Sequence, residues 1–368
     1  MFKSKSFIFS LIVFSFLISC DGLKIPKNVF ETSERKKYER SFSGADSLLS
    51  KWKSSFSAAS ASRLEISDGA SLLMNTKSEA SGYQIELKKG DLLVIETETS
   101  DPGKKIFVDL LHQASGSEII EAEIFRNNQF SKLVGANGIH KIIIQPEIGY
   151  SSLFKIKIYT QPSLQFPVAG KGNKNIQSFW GASRDGGGRS HEGVDIFAPR
   201  GTPVVAVANG FITRTGNQGL GGKQVWLRDD EVGNSHYYAH LDSILTVSGR
   251  KVKTGDTLGL VGSTGNAAGG PTHLHFGIYS TGGAVDPYHY IRIRPVPKLI
   301  TLSDSEKFSG KYVRANTKLR SGPGSDYEIL FTVAFKTKVR VLASTGTWFH
   351  VEMSDGRQGF VKAAEIES

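Results

Sequence analysis

The chain has 368 residues, a length that predicts two or three domains. Hydrophobic residues make up 39% of it and 40 residues are glycine, proportions that exclude a wholly disordered or collagen-like protein. Its 45 basic and 35 acidic side chains give a formal net charge of +10, which favours acidic partners such as nucleic acid, an anionic membrane or an anionic wall polymer. The single cysteine excludes an intramolecular disulfide and a cysteine-rich zinc site.

The first 20 residues have the proportions of a secretion signal. Two early lysines precede an apolar run over residues 7–19, which at 13 residues is too short to span a bilayer. The run ends at the sole cysteine, and the sequence LISC resembles the lipobox of bacterial lipoproteins. This resemblance implies a lipoprotein signal peptide over residues 1–19 and a lipid on Cys20 that anchors the chain to a membrane of the cell envelope, facing the periplasm or the exterior. The alternative is a plain signal peptide with an incidental cysteine.

Residues 20–60 are polar and rich in serine and lysine, which predicts a tether with room for one short helix. From residue 61 to residue 165 the pattern changes to short runs in which apolar and polar residues alternate, as in YQIELKK at 83–89. Glycine, aspartate and asparagine separate these runs, as expected between β-strands. Strands at this spacing predict a β-sandwich-like module, and the segment also resembles small sandwich modules found beside secreted bacterial peptidases.

Residues 166–296 are rich in glycine and in short strand patterns, and they hold six of the nine histidines. Three segments of this unit combine residues that can carry chemistry: HEGVD runs from His191 to Asp195, YYAHL contains His240, and HLH contains His273 and His275. Residues two apart on a strand point to the same side, so the two histidines of HLH share one face. Two imidazoles on one face are unfavourable in an apolar core and suit a metal site.

A catalytic zinc ion takes three protein ligands and leaves a fourth position for water, and two histidines with one carboxylate meet that requirement. Four candidates for such a set are present: His191, Asp195, His275 and one spare imidazole on the same strand face. Bound zinc lowers the pKa of water to about 7, and a neighbouring histidine can take or return a proton. The combination predicts metal-assisted hydrolysis of an amide.

The segments HEGVDIFAPRGTPVVAVANGFI, VWLRD, YYAHL and KVKTGDTLGLVGSTGNAAGGPTHLHFGI resemble lysostaphin/LytM-type zinc endopeptidases in order and in spacing. The resemblance covers the unit from residue 166 to residue 296. It implies a twisted antiparallel-sheet peptidase domain that uses zinc to cleave peptides of peptidoglycan. The residues implied as zinc ligands are His191, Asp195 and His275, and those implied as the catalytic pair are His240 and His273.

Two further residues are candidates for substrate binding. Tyr238 lies two residues before His240 on a predicted strand, so its side chain is expected to face the same groove. Arg184 follows a segment that resembles the one before the family's first ligand, and a guanidinium can hold a substrate carboxylate through two hydrogen bonds. A structural salt bridge is an equally good interpretation of Arg184. His236 and His289 lie outside the motif and are expected at the surface or behind the ligands.

Residues 308–368 form the last predicted unit. The segments YVRANTKLRSGPG, WFHVE and GFV resemble bacterial Src-homology-3-like domains, which implies a small C-terminal β-barrel that binds wall peptides. A modest affinity for the wall would raise the concentration of the enzyme on its polymer. Neither this unit nor the histidine-rich one has a concentrated basic stripe, so no nucleic-acid partner is expected.

Together these features predict a mostly β, multidomain protein that hydrolyses peptide bonds in the cross-links or stems of peptidoglycan with the help of zinc. The alternative is a catalytically silent or latent wall-binding regulator of another peptidoglycan hydrolase. All five residues of the motif are present, which favours the enzyme. A purely structural lipoprotein that links membrane to wall would leave those five residues without a role.

Overall fold

The structure, a computed structural model, describes residues 34–298 except 100, 102, 115–116 and 125–128, together with residues 308 and 310–367. The predicted signal peptide and Cys20 therefore lie outside the described residues. Most of the described chain is β-structure in several antiparallel sheets, which confirms the predicted mostly β fold. In this part of the chain no helix is long and apolar enough to cross a membrane.

The N-terminal unit consists of two helices followed by eight strands. They are α1 (Glu34–Ser41), α2 (Asp46–Ala61), β1 (Ala70–Met74), β2 (Ser81–Leu87), β3 (Asp91–Thr99), β4 (Ile106–Ala114), β5 (Ser117–Ile124), β6 (Gln129–Leu133), β7 (Gly138–Pro146) and β8 (Phe154–Pro162). One sheet has the order β1-β8-β3-β6 and the other the order β2-β7-β4-β5. Apolar side chains of both sheets, such as Tyr83 in β2 and Ile156 in β8, share one core, so the two sheets form a sandwich.

Helix α2 packs against this sandwich. Trp52 is buried, and its Nε1 donates a hydrogen bond to the Pro146 carbonyl over 2.9 Å. The Gln145 side chain donates in return to the Trp52 carbonyl over 2.8 Å. The sequence predicts a tether over residues 20–60, whereas residues 34–61 contain two helices, the second of which is held by these contacts. Only Trp52 and Ala59 of α2 are buried. The serine-rich sequence of α2 therefore shows little of the apolar periodicity by which a helix is predicted.

The central unit contains thirteen strands and one short helix. They are β9 (Ile176–Ser178), β10 (Ser183–Arg184), β11 (Arg189–Ser190), β12 (Val194–Phe197), β13 (Pro203–Val205), β14 (Gly210–Gln218), β15 (Gly222–Asp229), β16 (Ser235–Ala239), β17 (Leu241–Ile244), β18 (Lys251–Val252), β19 (Thr257–Val261), β20 (His273–Ser280), β21 (Gly283–Val285) and α3 (Tyr288–Ile291). The main sheet has the order β18-β14-β15-β16-β20-β12-β9, with β21 beside β20. A small sheet, β13-β19-β17, shares a core with one face of the main sheet, for example through Val204 and Phe276. The opposite face carries the candidate site.

The C-terminal unit consists of short strands. They are β22 (Tyr312–Val313), β23 (Thr317–Arg320), β24 (Ile329–Val333), β25 (Thr337–Thr345), β26 (Trp348–Met353), β27 (Gln358–Lys362) and β28 (Ile366–Glu367). Five of them have the order β24-β23-β27-β26-β25, and β22 pairs with β25 and β28. The sequence predicts a small barrel, but no pairing among the described strands closes this unit into one. Strand β25 pairs with β22 at one end and with a strand of the N-terminal unit at the other.

The N-terminal and C-terminal units are joined through one continuous sheet. Strand β1 pairs antiparallel with β25, with Met74 opposite Ala343, so the sheet runs from β24 to β6 without a break. The cores also merge, because Phe360 of β27 is fully buried in the same cluster as Tyr83 of β2. The two ends of the described chain therefore stabilise each other.

We expect the substitution Phe360→Ala to destabilise both terminal units, because it opens a cavity in the core that they share. The expected loss of unfolding free energy is about 3–5 kcal/mol. Native-state hydrogen exchange should accelerate in β1 and β8 as well as in β26 and β27. Phe335→Ala is the matched control, since Phe335 is 79% exposed, and it should change stability by less than about 0.5 kcal/mol. Faster exchange confined to the C-terminal strands would show that the two units fold independently.

His350 lies at the junction of the two units and is fully buried. Its Nδ1 accepts a hydrogen bond from the Tyr83 hydroxyl over 3.0 Å, and its Nε2 donates to the side-chain oxygen of Gln358 over 3.1 Å. Both ring nitrogens are thus satisfied when the imidazole is neutral. Burial lowers the pKa of His350 to about 4, from the ordinary value of 6.5.

We expect this junction to weaken in acid. Because the pKa of His350 is lower in the folded chain, the unfolded chain binds the proton first, and stability falls as the pH drops from 6.5 towards about 4. The shift corresponds to roughly 3 kcal/mol of unfolding free energy across that window. Urea titrations at several pH values should reveal it, and His350→Gln, which cannot titrate, should lose that part of the pH dependence. An identical pH dependence in the variant would contradict the prediction.

Candidate metal centre and its groove

Three ligand candidates meet where β12 pairs with β20. Asp195 of β12 lies directly opposite His275 of β20, so both side chains project from the same face of the sheet. His191 precedes β12, and the chain between them passes close to β20 at Gly193, which brings His191 alongside Asp195 and His275. A Cβ atom at position 193 would lie 2.6 Å from the Phe276 carbonyl oxygen and 2.7 Å from the His275 ring, so the close approach requires glycine.

The candidate ligand atoms face one another. His191 Nε2 lies 3.1 Å from Asp195 Oδ1 and 3.0 Å from His275 Nδ1, and the distance from His275 Nδ1 to Asp195 Oδ1 is 3.1 Å. Ligand atoms about 2.1 Å from a tetrahedral zinc ion lie about 3.4 Å apart, so a small outward movement would accommodate the ion. Within the described part of the chain, these residues are the one group of three histidine or acidic side chains whose ligand atoms all lie within 4.8 Å of one another.

Contacts behind the ligand atoms determine their orientation. His191 Nδ1 donates to the Phe179 carbonyl over 2.9 Å, which leaves Nε2 without a proton in the neutral ring. Arg184 donates to Asp195 Oδ2 and to Ser178 Oγ, each over 2.7 Å. Of the two interpretations of Arg184, the salt bridge is therefore the one present. Because Arg184 binds Oδ2, the other carboxylate oxygen of Asp195, Oδ1, remains available to bind a metal ion.

The electrostatics of the three residues suit a cation. Burial alone would raise the pKa of Asp195, but the adjacent imidazoles of His191 and His275 lower it far below the usual range, so the carboxylate is charged. Burial lowers the pKa of His275, which keeps its imidazole neutral near pH 7. One carboxylate oxygen and two neutral imidazole nitrogens are the donor types of catalytic zinc sites. The residues therefore fit a zinc ion.

His240 and His273 lie beside the three ligand candidates, and their ring centroids are 5.0 Å apart. Nδ1 of His240 donates to the Thr264 carbonyl and Nδ1 of His273 donates to the Pro271 carbonyl, each over 2.9 Å. His273 Nε2 lies 4.0 Å from Asp195 Oδ1. The structure thus brings together all five residues that the sequence motifs predict as zinc ligands and catalytic pair.

Tyr238, by contrast, does not face the groove. Its side chain is fully buried in the core, where the hydroxyl accepts a hydrogen bond from the Val207 amide over 3.0 Å. The prediction was wrong because it assumed strand alternation from Tyr238 to His240, whereas β16 ends at Ala239 and His240 has a φ of 62°. This left-handed residue turns the imidazole towards the site, and Tyr237 rather than Tyr238 lines the groove.

The five motif residues line a cavity of about 680 Å³ on the open face of the main sheet. Three aromatic side chains that the sequence analysis missed, Trp226, Tyr237 and Tyr279, line the same cavity. A signal for Tyr279 was present, because it lies four residues beyond His275 on the same strand and so shares its face. Trp226 and Tyr237 depend on how β15 and β16 pair, which sequence spacing does not determine.

The histidines outside the motif have structural surroundings. His236 is fully buried, and its Nε2 lies 3.1 Å from Asp229 Oδ2. His236 was expected at the surface or behind the ligands; since it is enclosed in the core, the first of these two positions was wrong. His289 lies 3.7 Å from Asp91 of the N-terminal unit. Neither histidine lines the cavity.

Residues 189–287 match the model of Peptidase family M23, and residues 315–367 match the model of the bacterial SH3 domain. The L-Ala–D-Glu endopeptidase of Bacillus subtilis is 36% identical over 140 residues, covering 34% of this chain and 42% of that protein. The uncharacterized lipoprotein YgeR of Escherichia coli is 37% identical over 111 residues, covering 30% and 41%. The peptidoglycan DD-endopeptidase ShyC of Vibrio cholerae is 29% identical over 123 residues, covering 33% and 25%.

These matches confirm the resemblance found in the sequence. The central unit is thus similar to peptidase family M23, and the C-terminal unit is similar to the bacterial SH3 domain. The M23 match contains all five motif residues, whereas the N-terminal unit lies outside both matches. The chain spans less than half the length of each of these three relatives.

We expect the purified chain to bind one zinc ion. His275→Ala removes one of three donor atoms, so the variant should contain no zinc after dialysis, as measured by elemental analysis. His112→Ala is the matched control, because His112 lies in β4 of the N-terminal unit, and it should keep its zinc. Full zinc content in a folded His275→Ala variant would show that a different set of donors holds the metal.

Proposed function

We propose that this chain is a zinc-dependent endopeptidase that hydrolyses peptide bonds in peptidoglycan, in its cross-links or its stem peptides. The observation that carries the proposal is the convergence of His191, Asp195 and His275 in an open cavity, with two further imidazoles beside them. The M23 match and the endopeptidases among the relatives support it.

In this proposal His191, Asp195 and His275 hold the zinc ion. When bound, zinc supplies a Lewis acid that polarises the scissile carbonyl and activates water near neutral pH. The chain keeps these ligands oriented through the Phe179 carbonyl behind His191 and the Arg184 guanidinium behind Asp195. His191 is only 2% exposed, so water has little access to the side of the site that this residue covers.

His240 and His273 are proposed to transfer a proton from the attacking water to the leaving amine. Each donates its Nδ1 hydrogen to a backbone carbonyl, so Nε2 is the free acceptor, and both rings line the cavity. Burial, assisted by the neighbouring His273, lowers the pKa of His240 to about 4. His240 is therefore neutral at pH 7 and can accept a proton from water. The same pair can return a proton to the leaving amine and donate a hydrogen bond to the developing oxyanion.

Peptidoglycan is proposed as both substrate and binding partner. The bacterial SH3 domain is proposed to bind wall peptides, and the net charge of +10 suits an anionic wall. Because this domain continues the sheet of the N-terminal unit, its surface is held in one orientation relative to that unit. Binding at this surface would raise the local concentration of cleavable peptides at the groove.

The chain is further proposed to act at the cell envelope as a membrane-anchored lipoprotein. This part rests on the sequence pattern, in which residues 1–19 form the signal peptide and Cys20 carries the lipid. The likeness to a relative described as a lipoprotein supports it.

The test of the catalytic proposal uses residues 21–368 and purified peptidoglycan sacculi. Zinc-loaded protein should release fragments, and mass spectrometry of their new amino and carboxyl termini identifies the bond that is cut. A chelator should stop the release and added zinc should restore it. Release that persists unchanged with the chelator would contradict a zinc mechanism.

Two classes of variant separate the proposed roles. His240→Ala and His273→Ala should keep zinc but cut about 10²- to 10⁴-fold more slowly, because they lose a proton-transfer group. His275→Ala should lose cutting yet still bind sacculi, since the SH3 domain is untouched. Normal cutting by His275→Ala would refute the ligand assignment. Zinc-loaded wild-type protein that binds sacculi without releasing fragments would favour the silent regulator.

A further inference from the structure

A row of five side chains crosses the open face of the main sheet beside the metal centre. It begins with Arg214 on β14 and continues through Trp226 on β15, Tyr237 on β16 and Tyr279 on β20 to Glu192, which precedes β12. Because these strands are neighbours in that order, the positive and negative ends of the row lie on opposite sides of the aromatic residues. Trp226, Tyr237 and Tyr279 are called the aromatic wall below.

The aromatic wall is one packed surface. The ring centroid of Trp226 lies 4.4 Å from that of Tyr237 and 5.2 Å from that of Tyr279. Two glycines leave room for it: a Cβ at Gly221 would lie 1.8 Å from the Tyr237 hydroxyl, and one at Gly277 would lie 3.1 Å from the Tyr279 ring. All three rings are half-buried and line the cavity, so their remaining surface is available to a ligand.

The aromatic wall borders the metal centre directly. The Tyr237 ring meets the His275 ring edge-on, with 5.8 Å between their centroids. A peptide whose scissile bond reaches the metal centre therefore brings a neighbouring side chain onto the wall.

Glu192 provides an available negative charge at the end of the wall. Its exposed carboxylate lines the cavity, and Oε2 lies 3.5 Å from the Tyr279 hydroxyl. Glu192 forms no salt bridge with another described residue, whereas Asp185 and Asp242 of the same unit are each paired with an arginine. A cationic group of a ligand can therefore approach Glu192 without displacing a cationic side chain of the protein.

We propose that the aromatic wall and Glu192 form a subsite for an alkylammonium side chain, that of a diamino acid with a free amine adjacent to the scissile bond. This inference rests on the proposed peptidase function and names the substrate class that the groove prefers. The methylene groups pack on the rings, and the ammonium group lies between the Glu192 carboxylate and the face of Tyr279. Arg214 repels an ammonium group at the other end of the wall, which sets the direction of the side chain.

The test compares two forms of one substrate. Sacculi whose stem peptides contain a diamino acid are divided into two portions, and acetic anhydride converts the free amines of one portion to neutral amides. Wild-type protein loaded with zinc should cut the untreated portion about fivefold faster at limiting substrate, as expected for one solvent-exposed ion pair.

Three variants identify the origin of this preference. Glu192→Gln keeps the shape of the side chain without its charge, so the preference should fall to about one, through slower cutting of the untreated portion. Glu231→Gln is the matched control, because Glu231 is an exposed carboxylate of the same unit outside the cavity, and it should keep the preference. Arg214→Gln should keep or increase the preference for the untreated portion, because it removes a positive charge that repels the ammonium group. All variants share the same SH3 domain, so a change in wall binding caused by acetylation affects them equally.

The outcomes separate this inference from the function on which it rests. Equal cutting of both portions by the wild type, or an unchanged preference in Glu192→Gln, would overturn the subsite and leave the peptidase function intact. If zinc-loaded wild type releases nothing from either portion, the peptidase proposal fails, and the subsite fails with it.

Discussion

The antiparallel pairing of β12 with β20 is the interaction on which the site depends. It sets Asp195 opposite His275, and the two-residue period of β20 places His273 on the same face. A shift of one residue in this pairing would move the candidate metal ligands Asp195 and His275 to opposite faces of the sheet. Ile196 and Leu274, which are paired and fully buried between these positions, oppose such a shift because it would expose them to water.

The same sheet extends the metal centre into a groove. Strands β15 and β16 add Trp226 and Tyr237 to the face that carries His275, so the proposed chemistry and the proposed side-chain preference share one surface. Functional groups on paired strands are held more precisely than groups on loops. His240 lies just outside a strand, and its position depends on a backbone hydrogen bond from its amide to the Gly221 carbonyl over 2.8 Å.

The union of the terminal units changes how the SH3 domain is expected to work. A domain on a flexible linker would search a large volume around the peptidase domain. Here the β1–β25 pairing and the shared core around Phe360 make the SH3 domain part of one body with the N-terminal sandwich. Its proposed contribution to wall binding therefore depends on the stability of that body, and acid conditions that protonate His350 act on the junction between the two parts.

The sequence by itself identified the candidate ligand set and the resemblance to the matched peptidase family, because metal ligands require particular residue types at short spacings, and HEGVD, YYAHL and HLH keep those spacings in the chain. It also determined the mostly β character, since alternation of apolar residues is a local property. Tertiary structure alone decided that Tyr237 and not Tyr238 lines the groove, because the left-handed φ of His240 breaks the alternation. It also decided that β1 joins β25, since strand pairing through backbone hydrogen bonds leaves no residue-specific signal across the length of the chain.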